Sequence, residues 1–271
     1  MKSAARTPAF LVTAGLLAAG LLAAGCGGST GGDIVFFAAA ASGPTDAIAG
    51  QPLVFTTGRG FHVVLTQAIL HVGAVYLNQS LPVSGAQATS CILPGTYVAE
   101  VRAGLDVDLL SPRRQPFPGL GEGTTTPAQA GEVWLTGGDV DASDDPTPIL
   151  SIAGNADRAG KSYPFTGALS IGRNRAAAST DVAQPGANPL CKQRIVSPIP
   201  TATTPRTTGE LTLRVDPRAL FVNVDFSALA PLSVDPPRFG FVDAAADQPS
   251  ISLYQALRST APYQFEWSIF Q

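Results

Sequence analysis

"FHVVLTQAILHVGAVYL", Phe61 to Leu77, decides how this chain folds. Val63, Leu65 and Ile69 alternate with Val64, Leu70 and Val72, so both faces of an extended segment are apolar. That is the pattern of a strand buried on both sides, at the centre of a packed sheet. The run is also longer than an ordinary strand, which rarely exceeds about 10 residues. A break is therefore expected, and Gly73 is the natural place for it.

Strand signals continue on either side of this stretch. Residues 53–57 form an early candidate, and 97–102, 132–136, 149–153 and 162–171 follow, separated by Pro, Gly and Asp turns. "LTLRV" (211–215) alternates, with Leu211, Leu213 and Val215 pointing in and Thr212 and Arg214 out. Near the end Tyr263, Phe265, Trp267 and Ile269 share one face of a closing strand, opposite Gln264, Glu266 and Ser268. With 28 Gly and 23 Pro, long helices have little room. Short ones are expected at 216–221, where Pro217 suits a first turn, and around 252–259. Asp216 and Asp225 read as cap or turn formers. Residues 104–131, 173–190 and 198–208 read as long irregular segments, of the kind that is functional or mobile when it occurs in a compact domain. The expected fold class is all-β, an antiparallel β-sandwich-like domain over 51–271 with long loops and one or two short helices.

The other informative stretch is "LLAAGLLAAGCGGSTGGD", Leu16 to Asp33. Lys2 and Arg6 precede an uncharged run from Phe10 to Gly25, which is the order of a secretory signal. That run is shorter than the roughly 18–20 residues a spanning helix needs, and neutral residues follow it. Leu22-Ala23-Ala24-Gly25-Cys26 resembles the lipobox of bacterial lipoproteins. The resemblance implies diacylglycerol on the Cys26 thiol, cleavage of residues 1–25 and a membrane anchor at the new N-terminus. Here Ala23 stands where that family usually has Leu, an accepted variant. Gly27 follows the cysteine in place of the Asp that often marks inner-membrane retention, so the resemblance leans towards the outer membrane. Acyl chains anchor because each buried methylene contributes about 0.8 kcal/mol. Residues 26–50 are then a lipidated N-terminus and glycine-rich tether.

Three cysteines in an exported chain call for an explanation. Lipidation takes Cys26 and leaves Cys91 and Cys191, which an oxidising compartment allows to pair. Closing a loop of about 100 residues stabilises by up to about 4.7 kcal/mol in the chain-entropy picture. The rival is a thiolate metal site, but there is no C-x-x-C and only two histidines.

Those histidines, His62 and His71, are nine positions apart, so one uninterrupted strand places them on opposite faces. The expected role is that of hydrogen-bonded strand histidines, and the sharper alternative is a copper or zinc site using one of them with a carboxylate. "GGDVDASDDP" (137–146) spaces Asp139, Asp141 and Ser143 as the first half of an EF-hand loop does. Asp144 replaces the turn glycine and Leu150 the bidentate Glu, so a solvated acidic turn is expected rather than a calcium site.

Catalytic signatures are missing. There is no G-x-S-x-G elbow, no phosphate-binding glycine loop and no dinucleotide fingerprint. Acids are plentiful, but nothing in the sequence pairs them across a cleft. The net charge of −3 becomes more negative once Lys2 and Arg6 are removed, which excludes a nucleic-acid footprint. No cofactor is implied.

"GQPLVFTTGRGFHVVLTQAILHVGAVYLN" (50–78), "LPGTYVAEVRAGLDVD" (93–108) and "LTLRVDPRALF" (211–221) resemble the periplasmic copper-partner proteins associated with methanobactin export, and equally uncharacterised β-sandwich lipoproteins. The first resemblance implies a metal-binding accessory role. It assigns no metal residues, because histidine is scarce and Met1 is the sole methionine. The expectation is an envelope-anchored, non-enzymatic structural or binding module. Its partners would be the membrane, through the lipid, and an envelope protein, a glycan or a small ligand.

Overall fold

The stretch from Phe61 to Leu77 breaks at Gly73, and the break passes the chain from one sheet to another. Before it, β3 (His62–Val72) lies in a seven-stranded sheet; after it, β4 (Ala74–Asn78) lies in a nine-stranded one. A Cβ on Gly73 would sit 2.2 Å from the Thr136 carbonyl oxygen, so only glycine turns this corner. The computed structural model describes residues 32–81, 95–172 and 190–269, and the statements below concern those residues.

The remaining strands, in chain order, are β1 (Ile34–Ser42), β2 (Leu53–Thr56), β5 (Tyr97–Val101), β6 (Leu105–Asp108), β7 (Gln115–Pro116) and β8 (Gly121–Thr124). Then come β9 (Ala128–Trp134), β10 (Pro148–Arg158), β11 (Lys161–Ser170), β12 (Ile195–Thr203), β13 (Gly209–Val215), β14 (Ala230–Val234), β15 (Pro237–Phe241) and β16 (Tyr263–Ile269). The first sheet runs β12-β9-β4-β5-β8-β1-β13-β16, with β7 also on β1. The second runs β14-β15-β11-β10-β3-β2, with β6 also on β3. The all-β, sandwich-like class is as expected. Pairing is antiparallel except for β1 with β13 and β11 with β15. The outermost strands of the first sheet, β12 and β16, pack against each other, so this sheet is strongly curled.

The core lies between the sheets and inside that curl. Its densest part is aromatic: Phe165 and Phe241 from the second sheet meet Phe221 and Phe226 at centroid distances of 5.0–6.4 Å. Phe221 and Phe226 arrive on two short 3₁₀ turns, Pro217–Phe221 and Phe226–Ala228. Asp216 and Asp225 cap these turns, each accepting from the backbone N–H two residues on. Two α-helices complete the fold, α1 (Leu190–Arg194) and α2 (Gln248–Leu257). α2 begins four residues before the expected segment because Asp247 caps it through the Ser250 N–H.

Three expectations change. The tether assigned to 26–50 contains β1, whose alanines pair with β13 from Ala38↔Glu210 to Ser42↔Arg214. An alanine run carries little strand signal of its own, and burial between two strands decides its conformation. The irregular stretch 104–131 holds β6, β7, β8 and the start of β9, and 198–203 belongs to β12. The irregular stretch 173–190 lies outside the described residues except for Leu190, which opens α1.

The third change concerns the histidines. On β3 the buried positions are Val63 and Leu65, then Ala68, Leu70 and Val72, so the alternation shifts by one residue. The partner strand shows why: Ala153 faces Gln67 and Gly154 faces Leu65, leaving Thr66 as the extra residue of a bulge. His62 and His71 therefore share the outward face instead of taking opposite ones. At roughly 3.3 Å per residue they are still about 30 Å apart.

Candidate functional site

Glu132 is the most unusual residue of the first sheet. It lies in mid-strand on β9, opposite Tyr76 on β4, and is 0% exposed. A carboxylate in that position demands compensation. Four side chains from four strands supply it. The Asn78 amide donates to Oε1 at 2.7 Å and the Ser197 hydroxyl to the same oxygen at 3.4 Å. The Tyr97 hydroxyl donates to Oε2 at 3.2 Å and the Trp134 indole N–H at 3.3 Å. All four are neutral donors. Burial pushes the Glu132 pKa up, and these hydrogen bonds pull it only part of the way back.

The sequence places these groups by simple alternation. Val75, Leu77 and Val133 enter the core, so Tyr76, Asn78, Glu132 and Trp134 emerge together on the other face. Tyr97 reaches the same face opposite Asn78, through a register shift between Leu77 and Asn78. The rings form a cluster: Tyr76 lies 4.5 Å from Trp134 and 5.3 Å, edge-on, from Tyr97. Tyr97 is 37% exposed and gives the cluster its outer surface. Burial and then the Glu132 charge raise the Tyr97 hydroxyl far above its usual range, so it remains a donor. Lys192 on α1 is near enough for Glu132 to hold its pKa up, although burial lowers it overall.

One acceptor of the cluster has no donor. Asn78 is 1% exposed and its Oδ1 lacks a hydrogen-bond partner. It faces Gly95, where an added Cβ would come within 2.8 Å of it. The cluster therefore holds a buried carboxylate and an unfilled amide acceptor beneath stacked rings, and Tyr97 is the member of it that solvent reaches.

The residues singled out from the sequence sit elsewhere. His62 is exposed at the start of β3, and His71 Nδ1 contacts Asp106 Oδ1 at 2.6 Å. Asp139 Oδ1 accepts from the Asp141 N–H, a local turn bond. Ser143 and Asp141 are solvent-accessible. Among the described residues no group of three or more His, Cys, Asp or Glu is placed to hold a metal ion. The carbonyl oxygens of Asp139, Val140 and Ala142 instead converge on the guanidinium of Arg194. Cys191 is disulfide-bonded and buried. Cys91 and Cys26 lie outside the described residues.

The Glu132 cluster was not found from the sequence. Its available signal was one acid between Gly131 and Val133, in a strand whose other residues are apolar or small apart from Gln129. No protein-family model matches the chain, and neither curated proteins nor solved structures give a match.

Proposed function

We propose that this chain is a bacterial envelope lipoprotein, anchored through Cys26 in the outer membrane rather than the inner, whose β-sandwich is a binding module. The observation that carries the binding role is the Glu132 cluster. A buried carboxylate, an unfilled amide acceptor and three aromatic rings are fixed on rigid strands, with Tyr97 open to solvent. The ligand class is a small polar molecule such as an amine or a sugar, stacked on the exposed Tyr97 ring beside the Asn78 acceptor. The module performs no chemistry of its own, and its carboxylate, acceptor to four protein donors, holds the rings in place. The alternative, a metal-binding accessory protein, draws less support, since the two histidines stand far apart on β3.

The test has two arms. Wild-type protein should label with palmitate and fractionate with membranes, and Cys26→Ser should do neither. Purified protein carrying Trp267→Phe should change its Trp134 fluorescence saturably with putrescine or N-acetylglucosamine, and Tyr97→Ala in the same background should lose that response. Stoichiometric copper or zinc in protein taken from its native envelope, with no response to either probe, would replace the module reading with the metal one.

A further inference from the structure

β1 begins only eight positions after Cys26, and it presents two large apolar side chains to solvent. Ile34 is 69% exposed and Phe36 51%, while Val35 and Phe37 between them are 7% and 1% exposed. The alternation puts Ile34 and Phe36 together on the outward face of the first sheet. Leu120, 68% exposed, stands next to Gly121, the residue that pairs with Phe37. Scattered exposed apolar residues need no explanation, but a neighbouring group at one strand terminus does.

We infer that Ile34, Phe36 and Leu120 dock this face of the domain onto the lipid bilayer that holds the anchor. The inference rests on the lipid-anchor reading. The occupant follows from chain length: eight residues span at most about 28 Å fully extended, so the start of β1 stays within that reach of the lipidated cysteine. The part of the fold nearest the membrane is then the part that exposes Ile34 and Phe36. Glu122 lies directly across from Phe36, with Glu100 beyond it on β5. These carboxylates favour the head-group level over the acyl core, so docking is shallow: the phenyl ring enters the interface and the acids remain in water. None of the three side chains anchors the protein alone. With the lipid already inserted, they set which way the domain faces, because a tethered contact forms at a high effective concentration.

The test uses full-length lipidated protein in vesicles of phosphatidylethanolamine and phosphatidylglycerol in equal parts. A polarity-sensitive dye is placed at Asp33→Cys, an exposed position beside Ile34, and, separately, at Val234→Cys, an 88% exposed position on the second sheet. The dye at position 33 should shift to the blue and be quenched by lipid-borne quencher roughly twofold more than the dye at 234. Equal quenching at both positions, in protein that stays on the vesicles through an alkaline wash, overturns the docking while the anchor stands. Protein that washes off, or that takes no palmitate, overturns the anchor and the docking with it. Circular dichroism of each labelled variant checks that β1 is still paired.

Discussion

Arg194 and Ala142 are joined by a 2.7 Å hydrogen bond from guanidinium Nη1 to carbonyl oxygen, across 52 residues of chain. The same nitrogen donates to the Val140 carbonyl at 2.8 Å, and Nε donates to Ile171 at 3.0 Å. Arg194 is 0% exposed, and burial lowers its pKa against the pull of Asp145, Asp139, Asp141 and Asp144. The acidic turn at 137–146 thus folds around a cation supplied by the protein itself. Asp145 finishes the turn: burial would raise its pKa, but bonds from Thr147, Gly137 and Thr136 hold it below the usual value.

Two outcomes follow for this turn. Calcium or a chelator should leave the thermal midpoint unchanged in wild type and in Asp139→Ala. Arg194→Met should cost about 3–5 kcal/mol, since it strips a charged donor set from four carbonyls at once, that of buried Ile171 among them. Urea melts measure the second. A calcium-dependent rise in midpoint that Asp139→Ala removes would show that the ion, and not Arg194, organises the turn.

Gly73→Ala should destabilise by about 3 kcal/mol or stop folding altogether, because the new methyl meets backbone at the Thr136 carbonyl and backbone cannot swing aside. Gly50→Ala is a useful contrast. Its φ of +79° is also unfavourable for alanine, but nothing lies within 4 Å, so only backbone strain of about 1–2 kcal/mol is expected. If the two variants melt alike, crowding at the sheet-switching corner does not govern the fold.

Much of the frame was legible where residues alternate. Leu211, Leu213 and Val215 are buried at 2%, 1% and 0%, and Arg214 turns away to pair with Glu266 at 2.7 Å. Thr212 was expected outward and yet is 3% exposed, because a curled sheet covers parts of both faces. The break at Gly73 was legible from length. β1 was not, since its alanines become a strand only by burial against β13 and β8. The histidine faces were not legible, because a one-residue bulge at Thr66 leaves no mark in the sequence. The Glu132 site stayed hidden for a related reason: its donors come from β4, β5, β9 and β12, and their meeting depends on strand order.

Reduction should unfold or loosen the domain in a way that identifies the Cys191 bond. Cys191 is 2% exposed in α1, directly before β12, whose Ser197 serves the Glu132 cluster. Native protein should resist thiol alkylation when unfolded in urea without reductant and accept it afterwards, at Cys91 and Cys191. A midpoint that falls by several degrees on reduction, with Trp134 fluorescence changing in parallel in a Trp267→Phe background, ties the bond to the site. An unchanged Trp134 signal would separate them.

The last prediction concerns how stability depends on pH. The folded-state pKa of Glu132 is raised above 4.5, its ordinary value, chiefly by burial. A raised carboxyl binds its proton more tightly folded than unfolded, so its favourable contribution is complete below about 4.5. That contribution is lost as pH rises through the folded value, because the charged form must then be kept away from water. Glu132→Gln cannot ionise, so the fall in stability above pH 4.5 that belongs to this residue should disappear in the variant. The substitution has a cost of its own. One end of the new amide must face either the Asn78 amide or the Tyr97 and Trp134 donors, leaving donors opposed, at about 1–3 kcal/mol. The stability curves of the two proteins should therefore be offset at low pH and converge as pH rises through the folded-state value of Glu132. Urea midpoints taken at half-unit pH intervals read this directly. Parallel curves across the whole range would mean that Glu132 titrates alike folded and unfolded, and the buried-carboxylate account of the site would fall.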